Sequence, residues 1–267
     1  DEGDVLEVKV VVEINISGKT DTVERDMRSS LNIDIEGDSR HVSVVGRNPR
    51  EQAVRFIWEE GNEIDLAYRV TVPRGSQLTL RVINGSMVVG NLAADISASI
   101  ENGTLFFRQI EGSVKASADA GDIIISRCTG DLHARVRRGL LRAGTLFGKA
   151  DLRNGSGDVE IMSAQSEVVA HAEAGDLWAG FPNKIGGPAK LSTYGGNIRV
   201  QIDPAASCNL AASASWGRVR TNVPMTFTHG KSGDRDIAAT MNRGGPTLSF
   251  RASGGHVTIE AGETYFE

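Results

Sequence analysis

Glycine returns in this chain at a fixed interval. Gly85, Gly103, Gly121, Gly139, Gly157 and Gly175 stand 18 residues apart, and Ala94, Gly112, Gly130, Gly148 and Ser166 repeat the same spacing between them. Internal repetition of this length is the signature of an array of stacked units, and it constrains the fold more than any local propensity does. The period lengthens to 21 at Gly196 and Gly217, where the extra residues fall in NKIGGPAK and DPAASCN, both rich in turn formers. Within each row the apolar residues alternate. One column reads Met87, Leu105, Ile123, Leu141, Val159, Leu177, and another reads Ala98, Ala116, Ala134, Leu152, Ala170. Period-two alternation over four to six residues, broken by glycine, defines short strands joined by tight turns. An 18-residue unit punctuated twice leaves no room for a helix.

Two strands per row, repeated in register, predict an all-β chain: a single β-solenoid, right-handed by the general crossover preference, with 18–21 residues per coil. Nine or ten coils would stack about 4.8 Å apart, each inward column forming a ladder of like residues. Glycine at the corners supplies positive φ, and Asp122, Asp158 and Asp176 directly after it are placed to close the turns through nearby backbone amides. Residues 1–70 alternate without the period and are expected to form an N-terminal β cap continuous with the solenoid, blocking its open strand edge. In that region EVKVVVEINI reads as a strand and SGKTDTVERD as a polar stretch. LNIDIEGDSRHVSVVG and VRFIWEEGNEIDLAYRV each read as a strand pair. Residues 71–267 carry the repeats, with a looser insertion near 218–245 that loops out and returns to complete the final coils.

The turn motifs AGDIII, SGDVEI and AGDLWA, the approach LAYRVTVPRGSQLTLRVINGSMVVGNL, and the exit WGRVRTNVPMTF followed by GGPTLSFRASGGHVTIE are similar to the bacterial "putative adhesin" β-solenoid domain family of unknown function. The resemblance covers residues 66 to 260. It implies an exported β-solenoid of the periplasm, cell surface or extracellular space, and it carries over no catalytic residues. The chain starts at Asp1 with no leader, so a targeting segment is taken to be missing from this sequence.

The remaining constraints are compositional. Basic and acidic residues number 29 and 34, a net charge of −5, which leaves no nucleic-acid footprint. No apolar run is long enough for a membrane-spanning helix. Two cysteines, Cys128 and Cys208, form neither a disulfide scaffold nor a cysteine-rich zinc site. They fall several coils apart, beyond bridging distance, with Cys128 in an inward column.

Function belongs to the outward columns. Lys115, His133 and Asp151 fall on consecutive coils of the second strand, with Arg135, Arg153 and His171 beside them. Such a face suits an anionic polysaccharide or another cell-surface component. It also fits a solvated mixed-charge surface whose pairs contribute little. A carbohydrate-active lyase or hydrolase on the same face is the competing class, but 18-residue rows leave nothing to build the walls of a cleft. No catalytic residue, cofactor or metal is assigned. The aspartates after glycine supply one carboxylate per turn, too few oxygens for calcium. On the first strand Val88, Phe106 and Ile124 stack outward as an apolar stripe, to be covered by the N-terminal cap or by a partner or second copy of the chain. The expected role is a non-catalytic scaffold.

Overall fold

The computed structural model describes residues 8–17, 20–38, 41–47 and 63–262. The chain divides into two units, Gly3–Pro73 and Arg74–Glu267.

In the first unit Lys9–Ser17 pairs antiparallel with Glu63–Thr71, and Asn32–Gly37 pairs antiparallel with Val42–Arg47. Both strands of the hairpin read from LNIDIEGDSRHVSVVG are therefore present. VRFIW lies outside the described residues, and the segment after it pairs with Lys9–Ser17. The polar stretch expected before the hairpin forms a helix, Asp21–Ser30. Asp21 and Glu24 in its first turn and Arg28 in its last complement the helix dipole, a local preference that the β pattern on either side conceals. The phenol of Tyr68 fills the space that a side chain at Gly46 would take, joining the two pairs of strands.

The second unit is a β-solenoid built from two parallel ladders. One ladder runs through Met87, Leu105, Ile123, Leu141, Val159, Leu177, Ile198, Val257 and Val219. The other runs through Leu80, Ala98, Ala116, Ala134, Leu152, Ala170, Leu191, Phe250 and Ala212. The core lies between them. Leu105, Phe107, Ile123, Leu141 and Leu177 from one side meet Ala98, Ala116, Ala134 and Ala170 from the other, and all are buried. Large residues on one wall against alanine on the other keep a thin cross-section densely packed. Each large side chain so buried contributes about 1.5–3 kcal/mol.

The corners explain the glycines. Gly121 has φ +146°, and a Cβ there would strike the carbonyl of Gly103 one coil below. Gly112 lacks a positive φ, yet its Cβ would strike the carbonyl of Ala94. From Gly103 to Gly175 the first series answers to backbone conformation and close stacking together, and Gly112, Gly130 and Gly148 of the second to close stacking alone. The aspartates after the first series act between coils rather than within one turn. Leu140 N–H donates to Asp122 Oδ1 at 2.7 Å, and Asp176 N–H donates to Asp158 Oδ1 at 2.8 Å, each across 18 residues. Inside the same corner Asn154 is buried, its Nδ2 donating to the carbonyls of Gly139 and Asp158 at 2.8 and 3.0 Å.

The far end departs from the expected sequence of coils. The last coil, Thr247–Ala252 and Val257–Ala261, does not stack outermost. Its first strand lies between Ala189–Thr193 and Cys208–Ala214, and its second between Ile198–Ile202 and Val219–Thr221. Within the 218–245 stretch, Asp236–Met241 pairs antiparallel with Cys208–Ala214, and Thr226–His229 pairs antiparallel with it in turn. This hairpin covers the strand edge that the penultimate coil would otherwise expose. A register shift between Phe227 and His229 interrupts the outermost pairing, a feature that discourages edge-to-edge association.

Candidate functional site

Strands Val114–Cys128, Leu132–Arg138, Ala150–Ser156 and Val168–Ala174 alternate buried and outward residues, so burial of Val114, Ala116 and Ala118 sends Lys115 and Ser117 outward. Parallel pairing places Lys115 beside His133, His133 beside Asp151 and Asp151 beside Val169. In the neighbouring column Ser117, Arg135, Arg153 and His171 follow rung by rung. The six residues singled out in the sequence therefore share one face.

Their chemical states differ. Arg153 holds Asp151 on its own strand through two contacts, Nε to Oδ1 at 3.0 Å and Nη2 to Oδ2 at 3.2 Å. That hydrogen bonding raises the pKa of the Arg153 guanidinium and commits the Asp151 carboxylate. Asp151 is thus engaged by arginine rather than orienting His133. His171 Nδ1 lies 2.9 Å from Ser192 Oγ, and its ring meets the edge of Tyr194 at 5.3 Å. Lys115, His133 and Arg135 are exposed and have no side-chain hydrogen bond or ion pair among the described residues. Arg135, Arg153, Gly155, His171 and Glu173 line a shallow depression open to solvent. The arrangement combines exposed cations with the carboxylates of Glu173 and of Asp119, the latter paired with Arg137, and leaves Arg135 without a carboxylate partner among the described residues.

The opposite face begins with the apolar stripe. Val88, Phe106 and Ile124 are direct neighbours in the ladder, with Val88 63% exposed and the other two half-buried. The column then turns polar at Arg142 and Glu160, joined by a salt bridge of 2.6 Å, and continues to Trp178 and Arg199. Around Trp178 a cleft is lined by Glu160, Arg199, Arg220, His256 and Thr258. Sequence reasoning missed this cleft, because Arg220, His256 and Thr258 reach it only through the altered stacking order. It also missed two exposed aromatic residues, Tyr194 and Trp216, whose signal was their position one or two residues before the corner glycines Gly196 and Gly217.

Cys128 and Cys208 are free, buried thiols, each pushed up to about 11 by burial. Among the described residues no group of three or more His, Cys, Asp or Glu is disposed to hold a metal ion, and no helix is long and apolar enough to cross a membrane.

Glycine-cornered coils, two facing parallel ladders and side chains aligned along their outer faces define a β-solenoid of stacked coils. The chain belongs to the Toastrack DUF4097 family, domains of unknown function, which it matches over residues 6–260. No curated protein matches the chain. A solved structure, described as that of "a putative cell adhesion protein" from Clostridium sporogenes, is similar at 11% identity with a TM-score of 0.22. The similarity covers 98% of this chain and 86% of that one, and so loose a superposition carries no argument from one protein to the other.

Proposed function

We propose that this protein is a non-catalytic, exported scaffold that binds an acidic polysaccharide on the outer face of its central coils. The observation that supports this reading is the register of Lys115, His133, Arg135 and Arg153 on successive rungs, with Lys115, His133 and Arg135 free of side-chain partners among the described residues. The rigid sheet fixes the spacing of these side chains, so the cost of binding an anion is confined to ordering the side chains themselves. The openness of the depression fits adsorption of a long polymer better than enclosure of a reacting bond. Weak individual contacts repeated along a chain then add through avidity.

The test is retention of the protein on immobilised acidic and neutral polysaccharides, with newly formed chain ends measured in the same samples. We expect retention on acidic polymers that falls as salt is raised, and a loss of about tenfold in Arg135→Ala/Arg153→Ala. Equal retention of that variant would remove the site. New chain ends, abolished in His133→Ala, would make the protein an enzyme.

A further inference from the structure

Past His171 the charged face runs into two aromatic residues that packing leaves in water. Tyr194 is 64% exposed and Trp216 is 85% exposed. An indole held this far out contributes almost nothing to the core, and it is the side chain most suited to a ligand with one apolar face and one polar rim. The two residues occupy the same corner of the solenoid. Ser253 N–H donates to the Thr193 carbonyl at 2.9 Å, and Trp216 N–H donates to the Ser253 carbonyl at 3.2 Å, so Ser253, directly after the strand Thr247–Ala252, lies between them. The pairing of Thr193 with Ala252 and of Ala252 with Ala214 sets Tyr194 level with Ser215, so Trp216 lies two rungs away, about 9.6 Å along the stack, and one residue further along the chain. On the rung between, the chain passes as Ser253 and Gly254, and Gly254 packs against the Tyr194 carbonyl. Two exposed aromatic residues thus lie on the rungs to either side of Ser253 and Gly254, which carry little side-chain bulk.

The corner continues the face already described. The column Arg135, Arg153, His171 leads to Ser192, Arg251 and Ser213 by direct pairing. Those are five steps, roughly 24 Å. His171 is the joint: it borders the depression with Arg135 and Arg153, and its ring braces Tyr194. The backbone N–H groups of Tyr194, Gly195, Ser253, Ser215 and Trp216 are bonded between coils, so this corner offers an extended peptide no continuous strand edge. A pyranose ring needs no such edge. Its C–H face covers an aromatic ring, and the two-rung separation is comparable to the disaccharide repeat of an extended polysaccharide.

We infer that a single acidic polysaccharide chain lies parallel to the solenoid axis, its carboxylates on Arg135 and Arg153 and two alternate sugar rings on Tyr194 and Trp216. This rests on the acidic-polysaccharide reading above and adds the direction, the length and the aromatic end of the site. The experiment is a length series of oligogalacturonate, oligoalginate and hyaluronan fragments, from disaccharide to decasaccharide, titrated against the full chain. Binding should strengthen with length until the fragment spans Arg135 to Trp216. Trp216→Ala and Tyr194→Ala should each weaken the longest fragments roughly three- to tenfold and leave the shortest unchanged. Arg135→Ala/Arg153→Ala should weaken every length. The longest fragments should also change tryptophan emission in the native chain and not in Trp216→Ala. If native protein binds the series but both aromatic variants match it at every length, the axial site is wrong while the polysaccharide reading stands. If native protein binds no member of the series, both fall.

Discussion

From residue 84 to residue 173 the order of coils in the stack is the order of the chain, whereas from 189 to 261 it is not. The same corner bond nevertheless runs through both regions. In the regular part, Leu140 N–H reaches Asp122 and Asp176 N–H reaches Asp158, each across 18 residues. In the altered part, Asn197 N–H reaches Asp176 across 21 residues and His256 N–H reaches Asn197 across 59. Arg218 N–H then reaches His256 Nδ1 across 38 residues, back along the chain. The acceptor changes from carboxylate to amide to imidazole, but its place does not. Where the corner residue can accept, stacking geometry places it against the same N–H of the next coil. The connecting segments alone decide which coil supplies it, and contacts of long sequence separation form only after long loops have closed.

The sharpest way to break the comparison is at a regular corner. Gly121→Ala combines an unfavourable φ with a collision against the Gly103 backbone, and should lower stability by more than about 4 kcal/mol. Gly233→Ala is the control, since Gly233 has φ +101° but open space around its Cβ, and should cost about 1–2 kcal/mol. Denaturant midpoints of the two variants separate stacking from conformation; equal losses would mean that close approach contributes nothing.

At the altered end, Phe250 is buried beside Phe181, their ring centroids 6.3 Å apart. Phe250→Ala should cost about 3–5 kcal/mol, and the loss should appear locally if the inserted coil opens by itself. The two buried thiols report on this directly. Their pKa values are raised to about 11, so alkylation near pH 8 requires opening of the coil that holds each one. Phe250→Ala should accelerate alkylation of Cys208, in the strand next to the inserted coil, and leave Cys128 unchanged. Equal acceleration at both would show the solenoid to unfold as one unit.

The smallest effect sharpens the outer faces. Arg142 and Glu160 pair at 2.6 Å across adjacent coils but stay substantially exposed. Arg142→Ala should change the denaturant midpoint by the equivalent of no more than about 0.5–1 kcal/mol, and raised salt should shrink the difference further. A larger loss would mean that outer columns contribute to stacking as well as to recognition.

What was legible in the sequence follows the same division. Met87 to Leu177 and Ala98 to Ala170 could be written as columns because a strict period turns chain distance into spatial neighbourhood. That arithmetic also placed Lys115, His133 and Asp151 on successive rungs. It failed where the insertion of 218–245 frees the chain to return elsewhere: Phe250 pairs with Leu191 and Ala212, which no period connects to it. The Trp178 cleft was lost for that reason. Asn154 was missed for a different one, because a polar residue in an inward column is explained only by the two corner carbonyls it satisfies. The outward columns showed which side chains are neighbours, but the capture of Asp151 by Arg153 depends on rotamers, which alternation does not encode.

Asp158 accepts the Asp176 N–H of the following coil, and Asp176 in turn accepts the Asn197 N–H of the next, so these successive rows repeat one corner bond. A duplicate of residues 156–173 inserted after Glu173 would meet the same carboxylate below it and offer the same one above. Length is then an adjustable quantity, increasing by about 4.8 Å for each duplicated row without a new kind of contact.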